Sequence, residues 1–251
     1  MITLWRTGRR SDSLRRVNRL RLRGCWDEVI GLLAESAPDS AADAVELAAT
    51  MVERSAFTMG DWEIAEEAVA QAERLAKGHN QLTGAAALER AYLSYLLTRL
   101  GLAELGDEAK SAIRRADEVL PVNSPRRRLL LYRQGLITQY LDDDGEAAAE
   151  LYRTAQIAAE ATGDKLLLSH VFANLAEHVH TEGDIATAAE LYADALRLRT
   201  ECGFVVGLAP VMVALAEVSP PEEARRLRAE ARRLYLVFGR VPAGLADEFD
   251  N

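Results

Sequence analysis

The chain has 251 residues, of which 49% are hydrophobic and only seven are proline, and it is rich in Ala, Leu, Glu and Arg. Such a composition supports a sizeable core and favours helix over strand, so we expect an all-α protein. The net charge of −9 argues against broad binding to nucleic acid or an anionic membrane, and no run approaches the about 20 apolar residues of a membrane span.

The first predicted helix is rich in arginine. Residues 1–23 carry eight arginines and one acidic residue, Asp12, so this segment has a charge of +7 and the rest of the chain −16. Two interpretations stay open: the solvated outer face of a capping helix, or a docking strip for nucleic acid or an acidic partner. The arginines concerned are Arg6, Arg9, Arg10, Arg15, Arg16, Arg19, Arg21 and Arg23.

After this segment, apolar residues recur at helical spacing as far as about residue 240. Turn signals interrupt the pattern, for example at Gly60 and at Pro121, and divide it into pairs of helices. No linker or change of composition separates the pairs. We therefore predict about six helix-turn-helix hairpins in one domain over residues 1–251, ending in a C-terminal tail at residues 241–251.

Two stretches of the chain repeat each other at an offset of forty residues, namely residues 141–164 and residues 181–204. In the second stretch, Ala188, Tyr192 and Ala195 fall at positions i, i+4 and i+7, on one face of a helix. A Gly-Asp turn signal precedes that helix, and another amphipathic helix precedes the turn. The repeating unit is therefore two helices joined by a tight turn, with Tyr filling the gap between small residues.

This unit resembles the tetratricopeptide repeat, and the match is closest over residues 169–203. The resemblance implies a right-handed α-solenoid. The period near forty, with "LYADALRLRTECG" and the last unit "EEARRLRAEARRLYLVFG", also looks like the C-terminal repeat arrays of large bacterial transcriptional regulators, over about residues 40–240. Those regulators carry an ATPase core, but this chain has no GxxxxGK[ST] motif, so ATP hydrolysis is not implied.

In tetratricopeptide arrays the first helices of the hairpins line a concave groove that receives a peptide or a partner helix. The resemblance implies that Arg54 and Arg133 could clamp a carboxylate there, although both are equally compatible with ordinary solvated arginines. Asn174 matches an asparagine of chaperone-binding repeats, but the basic residues that accompany it are missing. The candidate groove residues are Arg54, Phe57, Ser94, Thr98, Arg133, Ile137, Tyr140, Asn174, Glu177 and His180.

Motifs for catalysis and metal binding are missing from the sequence. The two histidines of "HVH" at residues 178–180 stand at i and i+2, so they point apart on a helix and cannot share an ion. We predict no catalytic residue, no metal and no cofactor. Cys25 and Cys202 are predicted to be free thiols, because a linear stack would place them many helices apart.

The sequence favours a non-catalytic, regulatory, bacterial and cytoplasmic module that binds a protein or peptide segment, such as an acidic segment or a C-terminal carboxylate. Nucleic acid is expected to contact only the N-terminal basic segment, no membrane contact is expected, and a homo-oligomer is left open. The alternative is an enzyme or small-molecule-binding protein on the same scaffold. Its pocket would lie around Tyr140, Glu177 and His180.

Overall fold

The computed structural model describes residues 14–238, and these residues form helices and no strand, which confirms the all-α prediction. A short 3-10 turn, Val205–Gly207, precedes the last pair of helices. The helices are α1 (residues 14–21 of the described chain), α2 (Trp26–Ala34), α3 (Ala41–Thr58), α4 (Trp62–Leu75), α5 (Asn80–Arg99), α6 (Gly106–Val119), α7 (Arg127–Leu141), α8 (Gly145–Thr162), α9 (Lys165–Thr181), α10 (Ile185–Cys202), α11 (Leu208–Glu217) and α12 (Pro221–Val237).

Consecutive helices pack in adjacent pairs, as the hairpin prediction requires. The most extensive contacts join α3 to α4, α5 to α6, α7 to α8, α9 to α10 and α11 to α12. Val17 of α1 packs with Val29 and Leu33 of α2. The first helices of neighbouring pairs also contact each other, α3 with α5, α5 with α7 and α7 with α9. Within residues 14–238, no helix combines the length and the apolar character that crossing a bilayer requires.

Aspartate caps start three successive helices, α8, α9 and α10. The side chains of Asp144, Asp164 and Asp184 each accept a hydrogen bond of 2.9–3.1 Å from the backbone N–H three residues on, which satisfies one of the free donors of the first turn. Gly163 and Gly183 precede the last two caps in the left-handed conformation, with φ of +66° and +91°. The Gly-Asp turn signal of the repeat is confirmed.

The repeated tyrosines are core residues. Tyr152 and Tyr192 are both buried, and so are Ala188 and Ala195, on either side of Tyr192 along its helix. Gly135 on α7 faces one of these tyrosines. A Cβ atom at Gly135 would lie 2.4 Å from Cε1 of Tyr152, so the tyrosine ring occupies the space that a side chain would need.

The first and last parts of the array touch each other. The backbone N–H of Val205 donates to the carbonyl of Leu22 at 2.9 Å, and the ring of Phe57 lies 5.5 Å from that of Phe238. An open linear stack would keep these segments apart, so the sequence analysis did not anticipate this contact. Cys25 and Cys202 are free thiols. Each lies three residues from this contact between Leu22 and Val205, so the wide separation expected in a linear stack is not the reason that they are unpaired.

Candidate functional site

Three of the predicted groove residues are buried, so their expected place on an open groove is wrong. Ser94 on α5 and Ile137 on α7 are inaccessible, and Ile137 belongs to the core formed by α5 to α9. The physical reason is that α5 contacts α3 on one side and α7 on the other, which covers faces that an open groove would leave free. The third buried residue is Arg133.

Arg133 is engaged by its own chain. Its guanidinium donates to the carbonyl of Leu88 at 2.9 Å and to the carboxylate of Glu89 at 3.0 Å, and it lies 4.4 Å from the centre of the Tyr92 ring. Charge-assisted hydrogen bonds to a buried carboxylate are among the strong ones. The predicted role of Arg133 in clamping a partner's carboxylate is therefore corrected. The carboxylate of Glu89 already occupies the position that a partner's carboxylate would take.

Arg54, the other half of the predicted clamp, also binds acids of this chain. It donates to Asp61 at 2.6 Å and lies 3.4 Å from a carboxylate oxygen of Asp27. Close by in sequence, the ring of Phe57 is 5.0 Å from that of Trp26. These contacts fasten α3 to its neighbours, so Arg54 and Phe57 serve the fold of the first two hairpins.

Thr98 also has a local role. Its hydroxyl donates to the carbonyl of Ser94 at 2.8 Å and accepts from the backbone N–H of Leu105 at 3.0 Å. The second bond ties the end of α5 to the start of α6, because Leu105 is the residue that precedes α6. Thr98 therefore fixes the turn of its hairpin.

Six charged side chains connect the first helices of the first four hairpins, and we call them the inner ion network. Arg21 of α1 donates to Glu46 at 3.2 Å and also to Glu53 on α3. Arg126, next to α7, donates to Glu46 at 2.6 Å and lies 3.5 Å from Glu89 on α5. The network consists of Arg21, Arg126, Arg133, Glu46, Glu53 and Glu89, so its positive and negative charges balance.

Glu89 is the most deeply buried acid of this network, with 1% of its surface exposed. Burial alone would raise the pKa of its carboxyl group, but the charges of Arg133 and Arg126 and the hydrogen bond from Arg133 outweigh it and hold the pKa below its usual value. Glu89 is therefore ionised at neutral pH. The network joins helices that are distant in sequence by ion pairs inside the molecule.

The arginine-rich segment divides between the interior and the surface. Arg21 points inward to the ion network, so its assignment to a patch for anionic partners is wrong. Arg16, Arg19 and Arg23 are exposed. Arg15 is exposed too but interacts with other parts of the chain. The remaining members of the predicted patch, Arg6, Arg9 and Arg10, lie outside the described residues, as does the predicted tail at 241–251.

The predicted residues on α7 and α9 do come together. The hydroxyl of Tyr140 donates to the carboxylate of Glu177 at 2.5 Å, and burial together with this bond raises the pKa of Tyr140. The side-chain amide of Asn174, one turn before Glu177, donates at 3.0 Å to the hydroxyl of Tyr132. His180 lies on the same helix and is partly exposed, and its ring forms no hydrogen bond within residues 14–238.

Asn174 and Glu177 line a small open cavity between α9, α10 and α11, with a volume of about 150 Å³. Polar groups come from α9 and α10, whereas α11 supplies apolar surface. The residues that line the cavity are Ala173, Asn174, Glu177, Tyr192, Arg199, Pro210, Val211 and Ala214. The cavity therefore places hydrogen-bonding and charged groups beside an apolar wall, the usual combination in a binding site.

Arg199 is a charged residue of the cavity that was not among the predicted site residues. It is only 7% exposed, its Nη1 donates to the carbonyl of Gly207, and its guanidinium lies 5.6 Å from the centre of the Phe204 ring. Its Nε has no hydrogen-bond partner among residues 14–238. Burial lowers the pKa of Arg199 to about 10, so the side chain still carries its charge at neutral pH.

A signal for Arg199 exists in the sequence. The stripe of Ala188, Tyr192 and Ala195 continues to position 199 at helical spacing, so an arginine stands where an apolar core residue is expected. A charged residue on a core stripe is unusual because burying an ion without a partner is costly. The arginine at position 199 therefore marks an unusual buried charge that the groove pattern does not indicate.

His170 on α9 packs between two aromatic rings. Its ring is 5.7 Å from that of Tyr132 and 5.3 Å from that of Phe204. Burial first, and then the positive charges of Arg199 and Arg133, lower the pKa of His170 to about 3. His170 is therefore neutral at physiological pH and adds no charge to the site.

The lowered pKa of His170 predicts a loss of stability in mild acid. The unfolded chain takes up this proton near pH 6.5, whereas the folded chain resists it until about pH 3. The contribution of the neutral His170 ring to the free energy of unfolding is complete above pH 6.5. It declines as the pH falls from 6.5 towards 3, by at most about 1.4 kcal/mol per pH unit. Urea unfolding between pH 7.5 and 4.5 should show a shallower decline in His170→Gln than in wild type. Replacing the exposed His79 with Gln is the control, and equal slopes in all three proteins would refute the prediction.

The sequence matches no family model, and no curated protein is significantly similar to it. Within the part of the chain that the structure describes, no group of three or more His, Cys, Asp or Glu side chains is placed to hold a metal ion.

Proposed function

We propose that the chain is a right-handed, tetratricopeptide-like α-solenoid that acts as a non-catalytic module for binding a protein or peptide segment. The proposal includes a regulatory role in the bacterial cytoplasm, as the resemblance to regulator arrays suggests. One observation carries it: the open cavity between α9, α10 and α11, which combines the polar side chains of Asn174 and Arg199 with an apolar wall. The binding surface thus lies toward the last hairpins.

The size of the cavity favours one part of a larger ligand. Sites for whole drug-sized molecules measure roughly 300–1,000 Å³, whereas this cavity measures about 150 Å³. A single side chain or a chain end would fill it, and the rest of a peptide would lie on the neighbouring helices. Val211 and Ala214 offer apolar contact for such an anchor, and the polar groups across the cavity would fix its orientation.

The second candidate is a small-molecule site or an enzyme around Tyr140, Glu177 and His180. The hydrogen bond between Tyr140 and Glu177 supports it, because it brings together two of these residues, of which Glu177 lines the cavity. However, that bond already occupies the Glu177 carboxylate, and the raised pKa of Tyr140 makes its hydroxyl a donor that holds its proton. A catalyst also needs a nucleophile or an oxyanion site beside its base. Binding is therefore the function we favour.

The exposed arginines of the first hairpin remain a second proposed contact. Arg16, Arg19 and Arg23 are on the surface, and an acidic partner or nucleic acid would find a positive charge there. Such a contact would weaken as salt is added, whereas binding in the partly apolar cavity would depend on salt much less.

Filling the cavity provides the test of the proposed function. Ala214 lines the cavity and is partly accessible, so Ala214→Leu would occupy the space of an anchor. Ala193→Leu is the matched control, because Ala193 is exposed on α10. A random peptide library should be selected against the full-length protein. We expect the enriched peptides to bind wild type and Ala193→Leu equally and to bind Ala214→Leu at least about tenfold more weakly, the equivalent of about 1.4 kcal/mol.

Two results would count against the proposal. One is the absence of any enriched peptide. The other is undiminished binding to Ala214→Leu. If the wild-type protein instead converts a small molecule in a metabolite mixture, and Glu177→Gln abolishes that conversion, the second candidate replaces the first.

A further inference from the structure

The charge balance around the buried arginines singles out one of them. Arg21, Arg90 and Arg133 are largely buried, and each forms an ion pair with at least one glutamate. Arg199 is buried to a similar extent, but no Asp or Glu within residues 14–238 forms an ion pair with it. Within the described part of the chain, the acids that neutralise the other three arginines therefore have no counterpart at Arg199.

The groups that do surround Arg199 compensate its charge only in part. They include the carbonyl of Gly207, the face of the Phe204 ring and the carboxyl-terminal end of α10, where Arg199 lies in the last turn. Carbonyl dipoles, ring quadrupoles and helix ends each attract a cation, but each is weaker than a full negative charge. A buried cation without a counter-ion is costly, so an incoming anion would gain the missing interaction.

The remaining cavity residues restrict the kind of anion. Glu177 faces the same cavity and repels any anion, and it repels a phosphate with two negative charges about twice as strongly as a carboxylate with one. A single carboxylate matches one guanidinium in both charge and planar shape. Tyr192, Val211 and Ala214 add apolar surface beside Arg199, which suits a ligand whose charged group sits on a short hydrocarbon stem.

We propose that the cavity between α9, α10 and α11 is a receptor site for a carboxylate on a short apolar stem, with Arg199 as the cation that binds it. The carboxylate can belong to the C-terminus of a peptide or to an acidic side chain, and the assignment to a peptide rests on the proposed function. In either case the recognising group is the guanidinium of Arg199.

Three small probes distinguish the sources of the carboxylate. N-acetylvaline has a terminal carboxylate on an apolar stem, N-acetylvalinamide lacks the charge, and N-acetylglutamic acid α-amide carries only a side-chain carboxylate. Their binding to the full-length protein can be followed by chemical-shift titration. We expect at least one of the two carboxylates to bind at least tenfold more tightly than N-acetylvalinamide, and the tighter of them identifies the source.

Variants connect this preference to Arg199. Arg199→Gln should lower the affinity for the carboxylate probe at least tenfold, to the level of the amide. Arg197→Gln should leave it unchanged, because Arg197 is exposed on the same helix and pairs with Asp194 and Glu201. If Arg199→Gln does not fold, Ala214→Leu decides the question, since it fills the cavity and leaves Arg199 in place. Equal affinity for acid and amide, or full carboxylate binding by a folded Arg199→Gln or by Ala214→Leu, overturns the inference.

The outcomes separate this inference from the proposed function. If the selected peptides bind Ala214→Leu weakly but bind Arg199→Gln as tightly as wild type, the binding-module function is supported and the carboxylate site is refuted. If the probes bind through Arg199 and no peptide is enriched, the carboxylate site stands and the peptide-binding function falls.

Discussion

Glu89→Ala should lower the free energy of unfolding by about 3–5 kcal/mol, the cost of removing one partner from a buried ion pair. Glu89 is almost inaccessible and accepts from Arg133, while Arg126 lies 3.5 Å from its other oxygen. Without it, the buried guanidinium of Arg133 would keep one carbonyl and one aromatic ring as its nearby partners. Urea unfolding at pH 7 measures the loss.

Two further variants make the Glu89 prediction specific. Glu150→Ala removes a carboxylate whose side chain is 71% exposed and pairs with Arg153 on the surface, so it should cost less than about 1 kcal/mol. Glu89→Leu combined with Arg133→Met should recover at least half of the loss, because apolar residues can replace a buried ion pair. A loss below about 1 kcal/mol in Glu89→Ala would show that the inner ion network does not stabilise the fold.

Tyr192→Ala should also destabilise the protein by about 3–5 kcal/mol, because it leaves a cavity in a packed region. The ring of Tyr192 packs in one cluster with Ala176, Ala188, Val211 and Leu215, and so joins α9, α10 and α11. This loss is comparable to the whole stability of a modest domain. Thermal and urea unfolding should both show it.

Tyr192→Phe is the matched control, since it keeps the ring and removes only the hydroxyl, which forms no hydrogen bond to residues 14–238. We expect the free energy of unfolding of Tyr192→Phe to lie within about 0.5 kcal/mol of the wild-type value. A melting curve of Tyr192→Ala that coincides with those of wild type and Tyr192→Phe would contradict the assignment of this tyrosine to the repeat core.

The features that the sequence predicted well are local. Asp184 caps α10 through a hydrogen bond to the backbone three residues on, and Gly183 before it supplies the left-handed turn. Both depend on residue types within one turn of helix. The positions of Tyr152 and Tyr192 followed from helical periodicity, which places them on the face that the next helix must cover.

The features that the sequence did not predict depend on distant contacts. Ser94 and Ile137 were assigned to an open groove, but how far neighbouring first helices approach each other is decided by the packing of the whole array. No sequence pattern pairs Arg133 with Glu89, because the two residues lie 44 positions apart along the chain. The contact between Val205 and Leu22 likewise joins segments at opposite ends of the array.

Arg199, which we propose as the residue that binds a carboxylate, does not belong to the groove pattern expected of tetratricopeptide-like repeats. That pattern concerns the first helix of each hairpin, whereas Arg199 lies on a second helix. Its burial arises from the segment Phe204–Gly207, which folds back after α10 so that the Gly207 carbonyl accepts from the guanidinium. The position of this segment depends on tertiary contacts. The only related signal in the sequence of α10 is that an arginine interrupts its apolar stripe.

A crystal structure of the full-length protein with the tightest-binding selected peptide tests the central claim most directly. We predict that a carboxylate of the peptide lies within hydrogen-bonding distance of the Arg199 guanidinium, with its apolar stem against Val211 and Ala214. A peptide bound along another face, with the cavity between α9, α10 and α11 left unoccupied, would contradict the account.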